Sequence, residues 1–189
     1  MVLYPRSGAS QSKLSGFTLV EMMIVLTIAG ILGAMAVSAY HTSIYKNHIL
    51  AETDQLQTDL AYASMEAVRT GLSVTICASS DGTTCNGSTS WTSGWIVFDD
   101  PTATQQTVTG TVIRRYQSAL VDGDTLEADN SIGAVTFNRG GYVSSIATTI
   151  PQVTFTDHAP TPSSGTTLCL AVSFLGQMSI ESAGQGNCL

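Results

Sequence analysis

With 189 residues, fourteen Asp and Glu against seven Lys and Arg, and a formal net charge of −7, the chain is long enough for one domain with its own core. It lacks the basic excess that phosphate neutralisation demands of a nucleic-acid binder. Residues 1–16 carry Arg6 and Lys13 and no acid, the bias of a segment that stays cytoplasmic. Residues 16–40 read GFTLVEMMIVLTIAGILGAMAVSAY, an apolar run with one acid, Glu21, near its start and Gly16 just before it. As a helix at about 1.5 Å per residue, 17–40 reaches roughly 36 Å, more than the roughly 30 Å of a bilayer core. A carboxylate in hydrocarbon costs roughly 2.5 kcal/mol or more, so Glu21 calls for a cationic partner on another chain. A secretory signal would carry a shorter apolar core, roughly 7–15 residues, and no acid in that place.

Beyond Tyr40 the helical pattern continues. Ile49, Thr53, Leu56, Leu60, Ala63 and Ala67 alternate at steps of four and three, one face of a helix. Glu52, Asp54, Asp59 and Glu66 fall on the opposite face. No proline interrupts 17–70, and Gly71 supplies a stop. The pattern predicts one long helix, apolar all round in its first half and amphipathic in its second. Gly30 and Gly33 in the first half are either helix–helix contact points or merely small residues in lipid. Short strand-like runs follow at 72–76, 95–98, 112–116, 134–137, 152–155, 168–172 and 177–180. Asp81-Gly82, Asn86-Gly87 and the 161–167 stretch mark loops. The order predicts an α+β fold of six to eight antiparallel strands, with the amphipathic half-helix lying on a sheet.

Two blocks of residues carry a family resemblance. Gly16, Phe17 and Glu21, with Thr18, Leu19 and Val20 between them and a long apolar tail behind, resemble the processing site of type IV prepilins and pseudopilins. Residues 60–100, with Met65-Glu66-Ala67, Arg69, a strand ending in Cys77, Ser80-Asp81-Gly82 and Trp91-x-x-Gly94-Trp95-x-Val97-Phe98, resemble the GspH/FimT/FimU branch of minor pilins and pseudopilins. The resemblance implies a type IV pilin-like fold and three segments: a leader peptide at 1–16, a transmembrane and assembly helix at 17–40, and a periplasmic domain at 41–189. It implies cleavage between Gly16 and Phe17 by prepilin peptidase, N-methylation of Phe17 by the same peptidase/methyltransferase, and Glu21 as the assembly acid. It further implies a single pass through the inner membrane, then a place among other minor and major pilins in a pilus or pseudopilus. A FimU-type priming pilin is the expected role; a type II secretion pseudopilin of GspH type and a DNA-binding FimT-type pilin are the alternatives. Residues 169–189 contain no Lys or Arg, and Gly176-Gln177-Met178 stands where the DNA-uptake relatives would place a basic turn. Nucleic acid is therefore disfavoured as a partner.

The domain beyond Tyr40 holds Cys77, Cys85, Cys169 and Cys188. Three pairings are possible for two disulfides outside the membrane. The local one, Cys77–Cys85 and Cys169–Cys188, closes short Gly/Ser/Thr-rich loops that have little else to hold them, and each bridge is worth roughly 2–3 kcal/mol in the chain-entropy model. The cysteine spacings do not suit zinc, and His41, His48 and His158 are scattered in sequence. Asp122, Asp124, Glu127 and Asp129 lack EF-hand spacing and read as a solvated acidic loop rather than a calcium site. Asp99-Asp100, beside Pro101, reads as a turn. Trp91 and Trp95 read as caps on the domain core, and Arg69 as a partner for the helix end or for an acid. No catalytic residues, metal ligands or cofactor are expected, so the chain reads as a structural subunit and not an enzyme.

Overall fold

The structure, a computed structural model, describes residues 16–116, 123–144 and 152–188, the side chains of 36–39 excepted. One helix, α1 (Leu19–Thr70), precedes eight strands: β1 (Val74–Ala78), β2 (Trp95–Asp99), β3 (Val112–Tyr116), β4 (Thr125–Ala128), β5 (Ala134–Phe137), β6 (Gln152–His158), β7 (Thr167–Ser173) and β8 (Met178–Ser182). The chain divides into two units, one ending at Tyr40 and one starting at His41. Arg6 and Lys13, expected to belong to a leader, lie outside the described residues, as does Asp122.

In the second unit the strands form two four-stranded antiparallel sheets, ordered β3-β2-β1-β5 and β4-β6-β7-β8. The helix contributes Leu56, Leu60, Ala63 and Ala67 to a core that both sheets share with it. Side chains alternate across each strand, so Val74, Ile76 and Ala78 of β1 and Trp95 and Val97 of β2 enter that core. Their neighbours Cys77, Ile96 and Phe98 face the other way and build a second, smaller cluster with Ala134, Cys85, Val108 and Val112. This is why β1 and β2 are buried at nearly every position instead of on one face only. Burial of each large apolar side chain contributes about 1.5–3 kcal/mol.

The helix stops where the sequence predicts. Gly71 adopts φ +71° and its N–H donates to Ala67 O at 3.0 Å, a left-handed cap that glycine adopts without strain. That cap takes up 71–73, so the first strand begins at Val74, two residues later than its pattern suggested. Strand β4 was not anticipated at all. It is four residues long, and its partner β6 lies far along the chain.

The acids of α1 correct the sequence expectation. Glu52, Asp59 and Glu66 are buried, and only Asp54 of the four keeps an exposed position. With two sheets supplying its neighbours, the helix buries a wider arc than the stripe its apolar residues alone define.

Candidate functional site

The N-terminal end of α1 is built from the residues that sequence reasoning singled out. Thr18 precedes the helix and its Oγ1 accepts the N–H of Glu21 at 3.2 Å, while Thr18 O accepts the first helical bond from Met22. Thr18-x-x-Glu21 therefore has the spacing of a capping box, with the acid in the first turn where the helix dipole favours negative charge. Gly16 and Phe17 lie before the helix and are exposed. A Cβ added at Gly16 would meet nothing within 4 Å.

The described large apolar side chains of this unit all face outward. Phe17 is 76% exposed, Leu19 77% and Met35 69%. The helix is long and apolar enough to cross a membrane by length and composition. Each such side chain left in water forgoes about 1.5–3 kcal/mol, so this surface calls for lipid or other helices. Gly30 and Gly33 are likewise open, and offer close approach to a second helix.

In the second unit most of the singled-out residues have structural work. Trp91 and Trp95 are fully buried in the core. Trp91 packs edge-on against Phe155 at 5.0 Å, and Trp95 stacks on Tyr116 at 4.2 Å. Arg69 binds Glu66 through two nitrogens, and that guanidinium holds the Glu66 carboxyl below the usual carboxylate range. Arg114 donates to Asp59 at 2.6 Å and lies over the Tyr62 ring, while its neighbour Arg115 is exposed. The two adjacent arginines thus do not form one basic patch. The structure joins Cys77 to Cys85 and Cys169 to Cys188.

Asp100, fully buried, accepts from Thr75 Oγ1 and from the backbone N–H groups of Thr104 and Gln105. Burial raises its pKa, yet those bonds outweigh it and hold the carboxyl below the usual range. Asp81 is held well below that range by the Thr84 hydroxyl and the N–H groups of Thr84 and Thr83.

The 122–129 acids do not act as a loop of one kind. Glu127 is exposed on β4. Asp129 accepts the N–H of Thr154 at 3.0 Å. Asp124 turns inward to meet α1: its Oδ2 lies 2.5 Å from His48 Nδ1, and Glu52 Oε2 lies 3.9 Å from the same nitrogen. Asp157 on β6 reaches the same helix turns, where Thr53 donates to its Oδ2 at 3.5 Å. Burial, followed by the nearby charges of Glu52 and Asp124, pushes the Asp157 pKa up to about 8. Sequence reasoning missed this cluster. Its one local signal is His48 and Glu52 at i and i+4, side by side on a helix.

Against known proteins, the model of the family "Type II transport protein GspH" matches residues 52–176, well over half of the chain. The chain belongs to the GspH family. A second family model, the prokaryotic N-terminal methylation motif, matches residues 12–37 of this GspH-family chain and spans Gly16, Phe17 and Glu21. Among solved structures, the type IV minor pilin FimU of Pseudomonas aeruginosa is similar at 18% identity with a TM-score of 0.56, covering 71% of this chain and 89% of that one. The minor pseudopilin EpsH from the Type 2 Secretion System of Vibrio cholerae is similar at 11% identity with a TM-score of 0.50, covering 73% of this chain and 99% of that one. At these identities the likeness shows the type IV pilin-like fold. No curated protein matches the chain. The family signals are those of minor pilins and pseudopilins, a structural class, and the methylation motif indicates prepilin processing.

Proposed function

We propose that this GspH-family chain is a minor, priming subunit of a type IV pilus, anchored and assembled through its N-terminal helix. The observation that carries the proposal is the open Gly16–Phe17 junction in front of an outward-facing apolar helix whose first turn holds Glu21. In this reading 1–16 is a leader, cut after Gly16 by the peptidase that also methylates Phe17. Residues 17–40 cross the inner membrane and later pack against other pilin helices. Residues 41–189 form a periplasmic domain that contacts neighbouring minor and major pilins. Glu21 pairs with the methylated amine of a neighbouring subunit, and that pairing offsets the cost of placing a carboxylate among apolar helices.

Mass spectrometry of the chain from purified pilus fractions tests the processing step. The expected N-terminus is methylated Phe17, and any other N-terminus overturns it.

A GspH-type pseudopilin is the second reading, favoured by the description of the matching family model as a type II transport protein. Deleting the chain separates the two: loss of surface pili supports the first, and loss of secreted enzymes with pili intact supports the second. A DNA receptor is disfavoured because Asp59 takes up Arg114 and 169–189 contain no basic residue. Tight, salt-sensitive DNA binding in a gel shift would reinstate it.

A further inference from the structure

Among the described residues, six acids of the second unit are buried: Glu52, Asp59, Glu66, Asp100, Asp124 and Asp157. Three of them sit apart, each in its own set of partners. Asp59 binds Arg114, Trp95 and Gln55; Glu66 binds Arg69; Asp100 accepts two backbone N–H groups and a hydroxyl. The other three gather at one place, between the start of the domain half of α1 and the strands β4 and β6. Asp124 is 3% exposed and, among the described residues, accepts no hydrogen bond of good geometry through either oxygen. Asp157 is 0% exposed and its Oδ1 accepts none. Neither has a Lys or Arg ion pair among the described residues. Thr53 donates to Asp157 Oδ2 and His48 Nδ1 faces Asp124 Oδ2, which leaves Asp124 Oδ1 and Asp157 Oδ1 buried without a hydrogen bond among the described residues, a costly state for a carboxylate. Into this group points the Nδ1 of His48, and single donor atoms of His48, Glu52 and Asp124 all lie within 4.8 Å of one another.

We propose that His48, Glu52 and Asp124 bind a divalent transition-metal ion, best matched by zinc, with Asp157 as the adjoining carboxylate. A hard cation such as calcium takes oxygen ligands alone and has no use for an imidazole. Zinc accepts imidazole nitrogen and carboxylate oxygen together. Bonds of about 2.0–2.2 Å to a tetrahedral ion set donors roughly 3.4 Å apart, so His48 Nδ1 and Asp124 Oδ2 would part from 2.5 Å and Glu52 Oε2 would draw in from 3.9 Å. His48 and Glu52 at i and i+4 supply two donors from one helix face, and Asp124 supplies the third from the residue before β4. The ion would neutralise carboxylates that otherwise repel, and would clip the helix to the edge strand of the second sheet. In this role the ion stabilises the domain.

The test uses the full chain in detergent, stripped with chelator and titrated with zinc chloride, with calcium chloride in parallel. Calorimetry is expected to show one zinc per chain. At a hundredfold excess over Kd the melting temperature rises by about 5–10 °C, the shift that such an excess produces in a domain of this size. Calcium at equal concentration is expected to leave it unchanged. His48→Gln and Asp124→Asn are each expected to weaken zinc binding at least tenfold, as loss of one ligand does, whereas the exposed Asp54→Asn does not. X-ray absorption on the zinc-loaded wild type is expected to show imidazole among nitrogen and oxygen ligands, which keeps the proposal testable if either variant fails to fold. No zinc-dependent rise in melting temperature overturns the site, as does zinc without an imidazole ligand, or binding that survives both substitutions.

Discussion

Asp59 shows how much one side chain can organise here. It accepts Arg114 Nη1 at 2.6 Å, Trp95 Nε1 at 2.9 Å and Gln55 Nε2 at 3.1 Å, so helix, β2 and β3 converge on one carboxylate. Arg114→Met keeps an unbranched apolar stem and removes the cation. It leaves a buried carboxylate short of its charge partner and takes the guanidinium off the Tyr62 ring. Because Arg114 is itself part-exposed, the expected cost is about 1–3 kcal/mol, read as a fall in the urea midpoint with unchanged slope. Asp100 makes the matching statement for pH. Its folded pKa lies below its unfolded one, so its contribution is full above the unfolded pKa near 3.8 and is lost as pH falls toward the folded value. Asp100→Asn is expected to cost about 1–3 kcal/mol at pH 7 and progressively less below pH 4, measured by urea unfolding across that range. Neither role is visible in the sequence, where Asp59 is one more acid on a helix and Asp99-Asp100 is a turn. The partners of both acids come from elements that only folding brings near.

At the scale of elements, the long helix was legible because two independent signals agree: an apolar run too long for an ordinary globular helix, and a step-of-four-and-three stripe that ends at a glycine cap. The stripe placed Leu56, Leu60, Ala63 and Ala67 correctly in the core. It set Glu52, Asp59 and Glu66 on the face opposite the core, since charge alone cannot reveal that Asp59 meets β2 and β3 while Glu52 meets the residue before β4. The strands with β-branched or aromatic alternation, β2 and β5 to β8 among them, stood out in sequence. Strand β4 did not, because Thr-Leu-Glu-Ala is too short to show a period and gains its place from pairing with β6. The cluster around His48 escaped for a related reason: Asp124 joins His48 and Glu52 only after β4 has taken its edge position. The stripe itself makes a sharp prediction. Leu60→Ala opens a cavity at a fully buried position and is expected to cost about 2–5 kcal/mol, whereas Met65→Ala, on the exposed arc, is expected to stay within about 0.5 kcal/mol. Chemical denaturation of the two variants side by side checks the contrast, and equal effects would mean that the helix is rotated from the face described.

The whole molecule combines two kinds of surface that no single soluble domain would carry together. One unit presents apolar side chains outward along its described length, with an acid in the first helical turn. The other buries its apolar residues around a shared core and closes two loops with disulfides. The first unit leaves its apolar side chains open, and the second has a core of its own. That division predicts that changes at the N-terminal end act on assembly and leave folding alone. Glu21→Val removes the charge and keeps an apolar surface, so insertion in the membrane becomes easier, not harder. Cleavage after Gly16 is expected to proceed, and the melting temperature of the chain to stay unchanged. Entry into the filament is expected to fall by about tenfold or more, the effect of losing 1.4 kcal/mol or more of a charge-assisted contact with a neighbouring chain. Immunoblots of the membrane fraction against filaments sheared from the cell surface measure both quantities in one experiment. A Glu21→Val chain that reaches the filaments at the normal level would show that Glu21 serves the helix cap and no partner, whereas a Glu21→Gln chain that also stays in the membrane would show that the charge, and not the hydrogen-bonding shape of the side chain, is what the neighbour reads.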